Sequence, residues 1–363
     1  MTDQQAVETC LNTLQLPDLE EALLAGSRIR NLDIDDGTLR LALDVGYACR
    51  SQLAGLSEQI RRALEALPGI RRVQVDAACR VRAHAVQPKA TRMKSVRNII
   101  AVSSAKGGVG KSTVAANLAL GLAAEGANTG LLDADIYGPS QPLMLGQQAR
   151  PEAVDEKYMK PIMAQGLQTM SMGYILAEDS PAVWRGPMVT QALTQLLNQT
   201  LWDDLDYLVV DLPPGTGDVQ LTLAQKIPVS GAIIVTTPQD LALLDARRGL
   251  RMFEKVNLHV LGLVENMSSH VCSQCGHEEA LFGHGGGEQF ARQHGVDLLG
   301  RLPLDIRIRE HADRGKPTVL ADPDGELAQR YRQIARRAAA RLALRPRDYS
   351  ASFPKIKVVS RPE

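Results

Sequence analysis

Two hydropathy patterns divide this chain. Up to residue 86 the apolar positions fall in short, half-buried patterns: helical spacing over residues 6–14 and 53–67, and strand-like runs over 29–34, 39–45 and 73–85. Asp35-Asp36-Gly37 supplies the turn of a hairpin between the first two strands. Pro68-Gly69 stops the second helix. From residue 98 the pattern changes to continuous apolar runs separated by helical stretches. Such runs occur at 98–103, 167–172, 231–236, 260–265 and 297–301, and two more lead into Asp133-Ala134-Asp135 and Asp211. A run without alternation is a strand buried on both faces. Strands of that kind alternating with helices predict an α/β fold, a mostly parallel sheet covered by helices on both faces. The expected organisation is a small α+β domain over residues 1–86, a polar linker over 87–97 with Pro88 and four basic residues, an α/β domain over 98–345 and a poorly ordered tail over 346–363.

The strand at 98–103 runs into Lys106-Gly107-Gly108-Val109-Gly110-Lys111-Ser112-Thr113, and an Ala- and Leu-rich helical stretch follows over 113–125. Strand, glycine loop and helix together make a phosphate cradle. The glycines let successive backbone N–H groups turn inward, and the helix N-terminus adds partial positive charge. Lys111 is then placed for the β- and γ-phosphates and the Ser112 hydroxyl for Mg²⁺, which predicts a nucleoside-triphosphate site. The usual spacing puts a first glycine at position 105, where this chain has Ala105 and beside it an additional lysine, Lys106. A second cation near the γ-phosphate neutralises charge that develops in phosphoryl transfer. Asp135 and Asp211 each close an apolar run, and the carboxyl ends of strands are where α/β sheets bind ligands. Asn266 also follows a strand end, and its amide offers the donor and acceptor that suit an adenine edge.

Cys272-Ser273-Gln274-Cys275 admits three chemistries. A thioredoxin-like dithiol requires the motif to open a helix beside a βαβ unit, whereas this pair precedes Gly276 and a loop ending in Gly285-Gly286-Gly287. A structural zinc site needs four ligands, and Cys272, Cys275, His277 and His284 supply four within one chain. Alternatively two chains each give a cysteine pair, making four thiolates around one 4Fe–4S cluster. Ligand chemistry alone leaves zinc and cluster open.

The loop from Lys106 to Thr113 resembles the deviant Walker A motif of the ATPase class that includes the Mrp (ApbC) iron–sulfur carriers, the nitrogenase iron protein, and the cell-division and partition ATPases. The resemblance implies that Lys106 reaches across a dimer interface to the partner's phosphates, that Asp135 lies in the first switch and orients the attacking water, and that Asp211 ends a Walker B strand and holds the Mg²⁺ shell. It also implies that Asn266 contacts the base. Asn266-Met267-Ser268, Cys-x-x-Cys-Gly and Phe282-Gly283-His284-Gly285-Gly286-Gly287 resemble the Mrp segment in which the cysteine pair bridges a cluster between subunits. The nitrogenase iron protein bridges a cluster without a tight C-x-x-C and is less similar. Tyr137-Gly138-Pro139-Ser140 and Trp184-Arg185-Gly186-Pro187-Met188 look like further Mrp signatures, with no chemistry derivable from them. Residues 1–86 resemble the MIP18-like (DUF59) domain that precedes the ATPase in many Mrp proteins. The implied function is an ATP-binding and hydrolysing iron–sulfur cluster scaffold or carrier. It works as a homodimer with ATP, Mg²⁺ and a 4Fe–4S cluster bridging two subunits, and it serves iron–sulfur apoproteins together with cluster-assembly factors.

Composition narrows the setting. Five cysteines in 363 residues are no disulfide framework, and Cys10, Cys49 and Cys79 read as small buried hydrophobes. The N-terminus shows no basic region followed by an apolar one, no stretch is long and apolar enough to span a bilayer, and a cytoplasmic location is expected. With 41 basic and 41 acidic residues, nothing draws the whole chain to nucleic acid. The exception is local: residues 326–363 hold ten Lys/Arg against three acidic residues, with Leu327, Tyr331, Ile334 and Leu342 at helical spacing. A basic amphipathic helix there supports an alternative, a ParA/MinD-like positioning ATPase that binds membrane or DNA and uses the cysteine pair as a zinc site. The preferred expectation is a helix packed on the ATPase core.

Overall fold

The structure, a computed structural model, describes residues 4–87, 90–175, 186–272 and 274–348. It opens with helices α1 (Gln4–Leu11) and α2 (Leu23–Gly26), followed by β1 (Ser27–Asp35) and β2 (Thr38–Val45). Asp36 and Gly37 join these strands at φ 39° and 72°, the left-handed turn that fits the twist of a hairpin. Helix α3 (Leu53–Glu65) then crosses over to β3 (Arg72–Cys79), which pairs parallel to β2. Leu56, Ile60 and Leu64 form the buried stripe of α3. Strand β3 is shorter than the run 73–85 because its partner gives out: Val45, the last residue of β2, pairs with Cys79.

The second sheet contains β4 (Val96–Ser103), β5 (Thr129–Asp133), β6 (Ile162–Ala164), β7 (Leu167–Ser171), β8 (Leu205–Asp211), β9 (Gly231–Thr236) and β10 (Val260–Glu265). A separate two-stranded ladder pairs β11 (His270–Val271) with β12 (Glu278–Glu279), and β13 (Leu298–Arg301) completes the large sheet. The order is β13-β10-β9-β4-β8-β5-β7-β6, parallel except for the edge strand β6. Successive side chains of one strand enter different cores: Ile100 and Val102 of β4 join one apolar cluster, Ile99 and Ala101 the other. The same edge of the sheet collects the polar strand ends Ser103, Asp133, Asp211, Thr236 and Glu265, all buried.

Helices cover both faces: α4 (Lys111–Ala124), α5 (Gln141–Met144), α6 (Gly186–Gln199), α7 (Asp218–Lys226), α8 (Asp240–Lys255), α9 (Gly286–His294), α10 (Ile306–Asp313), α11 (Thr318–Ala321) and α12 (Glu326–Ala343). Helix α4 is buried almost all round and packs along α12, with Gly121 opposite Ala335; a Cβ at 121 would lie 3.0 Å from that of Ala335. The apolar cluster around α4 and α12 also contains Tyr47, Cys49, Leu56 and Ile60, so the N-terminal unit and the P-loop unit share one core.

Two expectations are corrected by this packing. The segment after residue 86 is tied down rather than free: the buried Gln87 amide donates to the Ala224 carbonyl at 2.8 Å, and Arg92 bonds Asp348 at 2.8 Å. Order therefore continues past 345, where Asp348 N donates to Ala83 O and Arg347 bridges to His84. Residues 349–363, and Trp184 and Arg185 of the second signature, lie outside the described residues.

The basic helix is also accounted for. Arg332 and Arg336 bond the fully buried Glu125 at the end of α4, and Arg336 also bonds Asp18 at 2.6 Å. Arg341 pairs with Glu21 and Asp297, Arg337 donates to the Leu299 carbonyl, and Arg330 pairs with Glu326. All five arginines of α12 thus have partners within the protein, as expected of a helix packed on the ATPase core. No described helix is long and apolar enough to cross a membrane.

Candidate functional site

The glycine loop leaves β4 at its carboxyl end, where the order of strand connection reverses: β5 to β8 lie on one side of β4, and β9, β10 and β13 on the other. Gly108 and Gly110 take φ 81° and 83°, open to glycine and strained for other residues. A Cβ at Gly107 or Gly108 would meet nothing within 4 Å, whereas one at Gly110 would collide with the Asn266 amide. Val109 is buried and fastens the loop; Lys106 is exposed. Lys111, Ser112 and Thr113 form the first turn of α4, which gives the helix N-terminus that the cradle needs.

Behind the loop lies a buried charge cluster. Lys111 forms an ion pair with Asp211 and lies 3.0 Å from Ser112 Oγ. Asp211 also accepts from Gln141 Nε2 at 2.9 Å, and the same amide donates to the Ser112 carbonyl at 3.0 Å. Asp133, register partner of Asp211, accepts from Ser171 Oγ and from the backbone N–H groups of Asp135 and Gln141, each at 3.1 Å. Burial and the facing Asp211 carboxylate push the Asp133 pKa up to about 7. Asp135 is half-buried, and burial raises its pKa although backbone N–H groups of Tyr137 and Gly138 oppose this. The loop after Asp211 is laced to the P-loop through Gly215 N and the Ser104 carbonyl at 2.8 Å.

Asp133 and Gln141 were missing from the sequence reading. Asp133 is the last residue of its strand and faces Asp211, whereas Asp135 lies beyond the strand end. The pattern D-A-D offered both aspartates. Gln141 has no local signal; it reaches Asp211 only because the turn after β5 folds back over the P-loop helix.

The oxygen donors fit a hard divalent cation. Gln141 Oε1 is buried without a hydrogen-bond partner among the described residues, on an amide that bonds the Asp211 carboxylate, and Ser112 Oγ lies 3.0 Å from the lysine that pairs with the same carboxylate. Such a donor set suits Mg²⁺.

The cysteine pair sits in the turn between β11 and β12. Cys272 N donates to the His277 carbonyl and Gly276 N to the Cys272 carbonyl, each at 2.9 Å, with Gly276 at φ 71° closing the turn. The backbone N–H groups of Cys275 and Gln274 point at the Cys272 sulfur and lower its pKa, so the turn is shaped to hold a thiolate. Cys272 is half-buried, Cys275 is exposed, and the neighbouring Val271 and Leu281 expose apolar surface. His277 and His284 are exposed, and among the described residues no three His, Cys, Asp or Glu side chains converge on a metal position. The four-ligand zinc arrangement within one chain is therefore not assembled.

One residue joins the two regions. Asn266 follows β10 and donates its side-chain amide to the Val109 carbonyl at 2.9 Å; six residues later the chain reaches Cys272. One N–H of the amide expected to face adenine thus bonds the P-loop backbone.

A model of the NUBPL iron-transfer P-loop NTPase family matches residues 95–339, and one of the iron–sulfur cluster assembly protein family matches residues 4–77. The chain is 50% identical over 333 residues to the iron–sulfur cluster carrier protein of Escherichia coli K12, covering 92% of this chain and 90% of that one. It is 57% identical over 278 residues to the protein of the same name from Pseudomonas fragi, covering 76% and 97%. Among solved structures, a nucleotide-binding protein from Archaeoglobus fulgidus in complex with ADP aligns with a TM-score of 0.56 at 35% identity, over 65% of this chain and 92% of that one. With the glycine loop at the sheet's reversal point and these matches over most of its length, the chain belongs to the NUBPL-type family of iron-transfer P-loop NTPases, preceded by an iron–sulfur assembly (MIP18-like) domain.

Proposed function

We propose that this protein is an ATP-hydrolysing carrier of iron–sulfur clusters, acting in the cytoplasm as a homodimer. Each chain contributes Cys272 and Cys275 to a labile 4Fe–4S cluster held between the subunits, and the dimer delivers that cluster to apoproteins, receiving it from assembly factors. Residues 107–113 wrap the triphosphate, Lys111 neutralises its β- and γ-oxygens, and Asp135 orients the attacking water. Lys106 is exposed on the loop and free to serve the partner's nucleotide. Ser112 and Asp211 hold Mg²⁺, which screens the phosphate charge. Lys111 pairs with Asp211, so a bound triphosphate competes with that carboxylate for the lysine.

The observation that carries this reading is the Asn266 brace between the P-loop and the segment leading to Cys272. A change in loop position on nucleotide binding reaches the thiolate turn through one hydrogen bond and six residues. Because each chain gives only half the ligands, a shift in dimer geometry is enough to loosen the cluster. Lys111→Ala tests the coupling. It is expected to lose ATP binding and, with it, cluster delivery in cells; intact delivery without ATP binding would sink the proposal.

A further inference from the structure

Cys49 and Cys79 lie far in sequence from the motifs above, and the proposed function uses neither. The β2-α3-β3 crossover nevertheless brings them together. Cys79 ends β3, Cys49 follows β2 by four residues, and the sulfurs are 3.6 Å apart, with Cys49 N–H donating to Cys79 Sγ at 3.4 Å. Their environments differ. Cys49 is fully buried, Cys79 is half-buried, and both are free thiols. Hydrogen bonding to Cys79 and burial push the Cys49 thiol up. The Cys79 thiol is pulled down, chiefly by the hydrogen bond from Cys49, helped by its N–H and the Arg50 guanidinium. The sulfur nearer solvent is thus the better nucleophile. No third ligand joins the pair among the described residues, so a sulfur–sulfur bond suits it better than a metal.

We propose that Cys49 and Cys79 form a dithiol site whose substrate is a hydroperoxide and whose product is a disulfide between them. The Cys79 thiolate attacks the peroxide: a sulfur–oxygen bond forms, the oxygen–oxygen bond breaks, and the departing hydroxide or alkoxide takes a proton. The Cys49 sulfur then attacks the Cys79 sulfenic acid. The sulfur–sulfur bond forms, the sulfur–oxygen bond breaks, and hydroxide leaves as water with the Cys49 proton. Two thiols and one peroxide thus give one disulfide, one water and one water or alcohol. The bond would lie within the N-terminal unit, next to its junction with the P-loop unit. Arg50 N donates to the Glu125 carbonyl, and Ser51 N donates to the Glu125 carboxylate at 2.9 Å, at the end of the P-loop helix.

The test uses the full chain with Cys272→Ser and Cys275→Ser, so that failure of the cluster proposal cannot influence it. The reduced protein is treated with stoichiometric hydrogen peroxide, alkylated under denaturing conditions and mapped by non-reducing peptide mass spectrometry. The expected result is a peptide pair joined between residues 49 and 79, lighter by two hydrogens and released by dithiothreitol. With Cys49→Ser, dimedone is expected to label residue 79; with Cys79→Ser, residue 49 is expected to stay unlabelled. Both cysteines remaining fully alkylatable in the treated protein, or crosslinking preferentially to Cys10 or to another molecule, would overturn the assignment.

Discussion

Asn266 donates its side-chain amide to the Val109 carbonyl at 2.9 Å, and Gly110 is the neighbour whose missing side chain makes room for it. The P-loop and the segment leading to the cysteine turn are therefore joined by this buried hydrogen bond. Asn266→Ala is expected to cost about 1 kcal/mol of stability and to weaken ADP and ATP binding roughly tenfold, a loss equivalent to about 1.4 kcal/mol. Calorimetric titration checks it. Gly110→Ala, which combines a collision with φ 83°, is expected to abolish binding. Unchanged affinity in both variants would show that the brace does not position the loop.

The Asp133 carboxyl gives a pH signature. Its pKa of about 7 in the folded protein lies above the ordinary 3.8, so between these values the folded state binds more protons than the unfolded state. Stability from this group is fully present below about pH 4 and falls as pH rises through 7. In the nucleotide-free protein, the melting temperature of Asp133→Asn minus that of wild type is expected to become more positive from pH 5 to pH 8. A constant difference would show that Asp133 titrates normally.

Glu125 holds α12 and the N-terminal unit to the end of the P-loop helix. Hydrogen bonds from Ser51 and the Arg336 guanidinium keep its pKa below the ordinary value although burial works against them. Glu125→Ala leaves the buried Arg336 with Asp18 as its remaining carboxylate partner, and a loss of about 1.5–3 kcal/mol is expected from urea unfolding. Replacing Glu125 and Arg336 together by leucine should cost less than the sum of the two single changes. Strict additivity would contradict the network.

Gly121→Val tests the helix packing. Its Cβ alone would lie 3.0 Å from that of Ala335, and overpacking by the whole side chain is expected to cost about 1–3 kcal/mol. Thermal unfolding reports it, and no change in melting temperature would mean that α12 is free to move away.

The strands legible in the sequence were those buried on both faces: the run 231–236 and the run 260–265 coincide with β9 and β10. Their continuous apolar pattern is set by the strand alone. Features set by a partner were not legible. Strand β3 stops at Cys79 because β2 has ended, and the arginines of α12 look like a free basic face because Asp18, Glu21, Glu125 and Asp297 are distant in sequence. The glycine loop was legible because its phosphate chemistry is local. Gln141 and the Cys49–Cys79 contact were not, since chain reversal alone creates them.

Anaerobic reconstitution with iron and sulfide, followed by metal and sulfide analysis and native mass, tests the cluster most directly. Wild type is run beside the Cys272→Ala/Cys275→Ala double variant. About four iron and four sulfide per dimer, absent from the double variant, is the expected result. Stoichiometric zinc in each monomer with no sulfide retained would contradict a cluster shared between two chains.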